Sequence, residues 1–254
     1  MTSITRRHFL LGSSVLTLGC TGCSAISGQR PGATPVVRDP AVGQSWRYSK
    51  RNLFNGKLVG TELARVSEIG QVIEIEIQSP IVNTGSLTYP SWGHDWLEKY
   101  AVRPRQGGIP ASEIHAPWGM ILMDSHWAKM QVYEEPIPLW PMELRPGWSK
   151  TVGTYYQSAE TSGERQPWQL NIHAYKWESV TVPAGRFTAL RYFNIINFRY
   201  SNVSEKVAAQ RLETFWFAPE IGRWVARESQ GTFYQDVGER FQEDRSRWEL
   251  LEWT

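Results

Sequence analysis

The chain has 254 residues, with 27 Lys and Arg against 25 Asp and Glu. Arg6 and Arg7 are the only charged side chains among the first nineteen, so the remainder carries 25 of each sign and lacks the basic excess that a nucleic-acid-binding surface needs. The only two cysteines are Cys20 and Cys23; beyond them no disulfide framework, thiolate metal ligand or cysteine nucleophile can exist, and the fold must be held by burial.

The first segment differs from all that follows. A polar start ends in Arg6-Arg7, an apolar run spans Phe9 to Leu18, and small residues lead to Cys20. That order is an export signal. A run of about ten residues is half the ~20 that a helix needs to cross the hydrocarbon core, so it is not a permanent span. Leu16-Thr17-Leu18-Gly19-Cys20 resembles the lipobox of bacterial lipoproteins, with Thr17 where that pattern favours Leu. The resemblance implies diacylglycerol on Cys20, with Cys23 as the alternative acceptor. Thr5-Arg6-Arg7-His8-Phe9-Leu10 resembles the twin-arginine export motif, with Leu11 in place of its usual Lys. On this reading Arg6, Arg7, Phe9 and Leu10 form a receptor-read address, residues 1–19 are removed, and the mature chain faces the periplasm from a lipid anchor, in the outer membrane in preference to the inner.

Residues 20–40 read as the lipidated anchor and a tether, because Gln29 to Pro40 is rich in Gly, Pro and short polar residues. A single β domain over 41–254 follows. Trp46 and Tyr48 alternate with polar neighbours, Asn55-Gly56 suits a type I′ hairpin turn, and a return strand is predicted over 57–69. In 72–78, Ile73, Ile75 and Ile77 alternate with Glu74, Glu76 and Gln78, the pattern of a strand with one buried and one wet face.

Residues 79–147 break this order. They hold nine of the fifteen prolines and the tryptophans Trp92, Trp96, Trp118, Trp127 and Trp140, with no sustained period. The expectation is a Pro/Trp-rich irregular insertion, ordered because so much apolar surface must be hidden, with short β or helical pieces. Strand patterns resume near 148–157, 168–182, 187–200, 211–217, 224–234 and 245–253. Pro146-Gly147-Trp148 faintly echoes Gly43-Gln44-Ser45-Trp46.

Two phrases stand out: Val182-Pro183-Ala184-Gly185-Arg186-Phe187, and thirty residues on Trp216-Phe217-Ala218-Pro219-Glu220-Ile221-Gly222. Pro183 presets the φ of a turn and Gly185 can close it at positive φ, so Val182 and Phe187 should begin two facing strands; Pro219 and Gly222 punctuate a second turn. The pair resembles motifs of envelope families related to the half-barrels of the lipoprotein-localisation factors LolA and LolB. The fold class expected is therefore mainly β, an antiparallel meander or half-barrel.

Chemistry is thinly signalled. There is no Gly-x-Ser-x-Gly elbow, phosphate-cradling glycine loop, His-Glu-x-x-His or Ca²⁺ loop. His94, Asp95, His115, Asp124 and His126 gather in the insertion without metal-ligand spacing. No cofactor, metal or catalytic residue is expected. Three functions stay open: a lipid-anchored protein that binds an apolar ligand, a glycan or an envelope partner, with Trp92, Trp96, Trp118 and Trp127 as the binding surface; an enzyme using the insertion histidines; and a structural envelope component.

Overall fold

The computed structural model describes residues 35–78, 112–124, 131–158, 165–201, 206–234 and 240–254. Thirteen strands account for most of them: β1 (Ser45–Asn52), β2 (Leu58–Ile69), β3 (Ile73–Gln78), β4 (Ser112–His115), β5 (Met120–Asp124), β6 (Gln131–Pro138), β7 (Ser149–Ser158), β8 (Gln166–Val182), β9 (Gly185–Ser201), β10 (Lys206–Ala218), β11 (Arg223–Tyr234), β12 (Arg240–Gln242) and β13 (Ser246–Trp253). Each strand from β1 to β11 pairs antiparallel with the next, β11 also pairs with β13, and β13 returns to β1. Twelve strands thus close a barrel, and β12 extends the edge of β11. The antiparallel meander expected from the sequence goes all the way round. Residues 112–138, within the stretch read as an insertion, contribute three of its staves.

Alternation sorts the side chains. On β8, Trp168, Leu170, Ile172 and Ala174 face in, while Gln169, Asn171 and His173 face out. On β3 the three isoleucines are buried and Glu74 and Glu76 are not. Apolar inside and polar outside is the reverse of a lipid-embedded barrel, whose outer band is apolar. Aromatic rings fill the lumen, with Trp46, Tyr48, Tyr133, Tyr192, Phe215, Phe217 and Trp224 all under 2 % exposed. Trp46, Trp148, Trp177 and Trp216 are core, as their strand positions suggest.

The turns follow local chemistry. Val182 pairs with Gly185 across Pro183-Ala184, and Gly185 sits at φ 135°. The β1–β2 connection departs from the expected two-residue turn: five residues, Leu53 to Lys57, intervene. Asn52 causes this, because its Oδ1 accepts from the Phe54 and Asn55 N–H groups at 2.8 and 3.4 Å, making a side-chain-capped turn. The echo between Gly43 and Gly147 is structural. Both adopt positive φ, 89° and 82°, and both donate their N–H across the ladder, to Val66 and Ala174 respectively.

Because the strands alternate in direction, the barrel has two ends. At one lie the start of β1, the turn Pro183-Ala184, the 3-10 turn Pro219–Ile221 and the chain's last residue. The chain preceding β1 crosses this end as a strap. Its Arg38 N–H donates to the Pro219 carbonyl at 2.8 Å, and Gln44 and Trp46 side chains donate to the Ile221 carbonyl at 3.3 and 3.0 Å. At the other end lies the β1–β2 tip, beside residues 243–245, where the Leu53 N–H donates to the Arg245 carbonyl.

Candidate functional site

The lumen carries charge as well as rings. On β10, Arg211 and Glu213 share the inward phase of Phe215 and Phe217, and β11 brings in Arg223 and Arg227. Charges in the apolar phase of a strand are the signal by which the sequence marks them. Glu113 and His115 come from β4, whose four residues are too few to show a period.

Glu113, Arg223 and His115 are each fully buried. Arg223 grips Glu113 with two hydrogen bonds, at 2.7 and 2.9 Å, the fork geometry that makes such pairs strong. The Nδ1 of His115 accepts from the Gly119 N–H at 3.1 Å, so its proton sits on Nε2 and is donated to Glu113 at 2.6 Å. Burial alone would raise the Glu113 carboxyl, but Arg223 and His115 outweigh it and hold it well below the usual carboxylate range. Burial likewise works against the charge on Arg223, and Glu113 more than restores it. Desolvation pushes the hydroxyls of Tyr48 and Tyr192 far above their ordinary value. Arg227 and Glu213 form a second buried pair at 2.5 Å.

These pairs border a small cavity lined by Glu113, Asp124, Asn194, Glu213, Arg227 and the rings of Trp168 and Phe215. Its volume is about 30 Å³, room for roughly two water molecules, whereas drug-sized ligands occupy pockets of roughly 300 Å³ or more. Asn194 Oδ1 and Arg227 Nε have no protein partner among the described residues, which gives a water in that space something to bond. No substrate of ordinary size reaches the Glu113–Arg223–His115 group through it.

Of the four tryptophans proposed as a binding surface, Trp118 alone lies in the described residues; Trp92, Trp96 and Trp127 lie outside them. Trp118 is half-buried in the aromatic cap of the strap end. Its ring stands 4.8 Å from His115, 5.3 Å from Trp140 and 6.4 Å from Trp46, and its Nε1 donates to the Arg38 carbonyl at 3.1 Å. That pins the strap. Gly222, at φ 66°, completes the seat, since a Cβ there would stand 2.8 Å from the same carbonyl oxygen. The second sequence phrase therefore builds the dock for the strap.

His94, Asp95 and His126 also fall outside the described residues, as do Arg6, Arg7, Phe9, Leu10, Cys20 and Cys23. His115 has both ring nitrogens engaged within the protein, and Asp124 borders the cavity. Among the described residues no group of three His, Cys, Asp or Glu side chains could hold a metal ion.

Fold and lumen together define a closed antiparallel β-barrel whose described strands turn polar side chains outward and pack rings and paired charges inside. Solved structures similar to it include a candidate lipoprotein of Parabacteroides distasonis, at TM-score 0.44 and 13 % identity over 87 % of this chain and 100 % of that one. A candidate exported protein of Bacteroides fragilis with a YmcC-like fold gives TM-score 0.45 and 14 % identity over 87 % and 99 %. The hypothetical lipoprotein YmcC of Escherichia coli gives 0.39 and 9 % over 85 % and 90 %. No protein-family model matches the chain, and no curated protein matches it by sequence.

Proposed function

We propose that this chain is an exported envelope lipoprotein, held at a membrane by lipid on Cys20, whose barrel is a rigid module that meets its partner or glycan on its outer surface. The carrying observation is how rings and paired charges pack the lumen among the described residues. A barrel that stored an apolar ligand would need a cavity of acyl-chain size, whereas the cavity that the described rings and paired charges border is about 30 Å³. A buried Arg–Glu pair with a hydrogen-bonded His specifies one packing rather than a reaction. Arg6-Arg7 and the apolar run before Cys20 support export.

The anchor is tested by metabolic palmitate labelling. Label on the parent chain and none on Cys20→Ser is the expected result. Loss of label on Cys23→Ser instead moves the lipid to Cys23, and no label on the parent chain removes the anchor reading. For the outer-surface mode, the protein extracted from membranes should carry no stoichiometric lipid in its lumen by native mass spectrometry. A retained acyl lipid would overturn it.

A further inference from the structure

Among the described residues, exposed apolar side chains are concentrated at one place. Leu53, Phe54, Leu58 and Val59, at the β1–β2 tip, are 39, 69, 56 and 39 % exposed. Four large apolar groups within seven residues are a patch, not scatter. From Lys50 to Gly60 the charged residues are Lys50, Arg51 and Lys57; the neighbouring segment adds Arg245 and Asp244, whose carboxylate accepts from the Asn52 Nδ2 at 2.5 Å. The tip's backbone N–H groups from Asn52 to Lys57 already have acceptors. Asn52 Oδ1 holds the Phe54 N–H, Asn55 Oδ1 holds the Lys57 N–H at 2.9 Å, the Gly56 N–H donates to the Asn52 carbonyl, and the Asn52 N–H donates to the Lys57 carbonyl.

We infer that this tip is a second membrane contact, seating its apolar side chains in the interface of an anionic bilayer while Arg51 and Lys57 meet the headgroups. The inference rests on the membrane-anchored reading and adds an orientation to it. Each feature answers a demand of that environment: apolar side chains lower the cost of leaving water, internal hydrogen bonds occupy the tip's backbone donors, and cations at the rim are drawn to anionic lipid. The tip lies at the end opposite the strap, and the chain outside the described residues permits this. The fifteen residues from Cys20 to Thr34 reach about 50 Å when extended, while the eight residues of β1 rise about 26 Å.

The test uses the full chain with Cys20→Ser and Cys23→Ser, carrying an environment-sensitive nitrobenzoxadiazole dye at Leu53→Cys or, as control, at Met142→Cys on the strap end, where Met142 is 59 % exposed. With vesicles of phosphatidylcholine and phosphatidylglycerol, the dye at 53 should shift to the blue and be shielded from iodide, while the dye at 142 should not. Phe54→Asp with Leu58→Asp should weaken vesicle partitioning by about tenfold or more, and Arg51→Glu with Lys57→Glu by about fivefold or more, with unchanged circular dichroism. If the chain sediments with vesicles while the dye at 53 stays in water, the N-terminal segment alone does the binding: the tip proposal falls and the anchor reading stands. Shielding without vesicles, with a doubled mass, would make the tip a protein interface and overturn it equally. Palmitate labelling fails or succeeds independently of these outcomes.

Discussion

At the strap end of the barrel, rings of Trp46, Trp118, Trp140 and Phe217 pack against one another across the opening, and the chain before β1 is tied to the Pro219–Gly222 turn by the Arg38 N–H to Pro219 carbonyl bond and by the Gln44 side chain. At the hairpin end, the β1–β2 tip turns apolar side chains outward. The first end spends its aromatics on closure and the second presents apolar groups to its surroundings. Tryptophan content alone does not mark a recognition surface. What matters is whether the backbone around the ring leaves it a neighbour to pack against.

This contrast can be broken at several points. The largest expected effect is at the buried ions near the closed end: Arg223→Met should cost about 3–5 kcal/mol in urea unfolding, because it strands the Glu113 carboxylate in the lumen. Adding Glu113→Leu should restore part of that, and only part, since His115 then loses its acceptor. Acid probes the same group. Its folded carboxyl titrates below the unfolded one, so the pair contributes stability above the unfolded value of roughly 4.3 and loses it as pH falls through the depressed folded value. The stability of Glu113→Gln should therefore fall less steeply than that of the parent below about pH 4.

Next comes Gly119→Ala, which should cost about 1–3 kcal/mol, because Gly119 sits at φ 86° and a Cβ would collide with the Trp140 ring. A smaller loss, about 1 kcal/mol or somewhat more, is expected from Gly185→Val, where the strain is that of φ 135° alone and the nearest side-chain atom to an added Cβ is 3.8 Å away. Smallest of all, Leu58→Thr at the hairpin end should leave stability within about 0.5 kcal/mol of the parent. A loss of several kcal/mol there would mean the tip is part of the core, and the distinction between the ends would collapse.

Local chemistry explains what could be read in advance. Ile73, Ile75 and Ile77 announce β3 by alternation, and Pro183 and Gly185 announce their hairpin by the φ values they favour. Closure has no such local sign. Trp46 pairs with Trp253, and Glu113 meets Arg223 across 110 positions, so neither contact leaves a pattern in any short window. The inward phase of Arg211 and Glu213 was visible beside Phe215, yet charge in a strand reads first as solvent-facing, and only the paired partners, Glu243 between β12 and β13 and Arg227 on the next stave, make the inward reading physical. Trp118 was legible as a ring in a Pro-rich stretch. That it would clamp the strap through the Arg38 carbonyl depended on the Gly222 turn, about a hundred residues later.

The seat of β1 bears on how the molecule carries a load. β1 follows the strap directly and is flanked along its whole length, by β2 on one side and β13 on the other, with antiparallel pairing from Trp46 to Arg51 on both. A pull transmitted from an N-terminal tether first meets the Arg38–Pro219 bond and the Trp118 clamp, which can yield singly. Directed outward from the strap end, it then acts along the axis of β1, where two ladders must slide together; directed back along the barrel toward the hairpin end, it instead opens them from Trp46 one rung at a time. The strap would thus act as a mechanical fuse, and the barrel behind it would resist as a unit only against an outward pull.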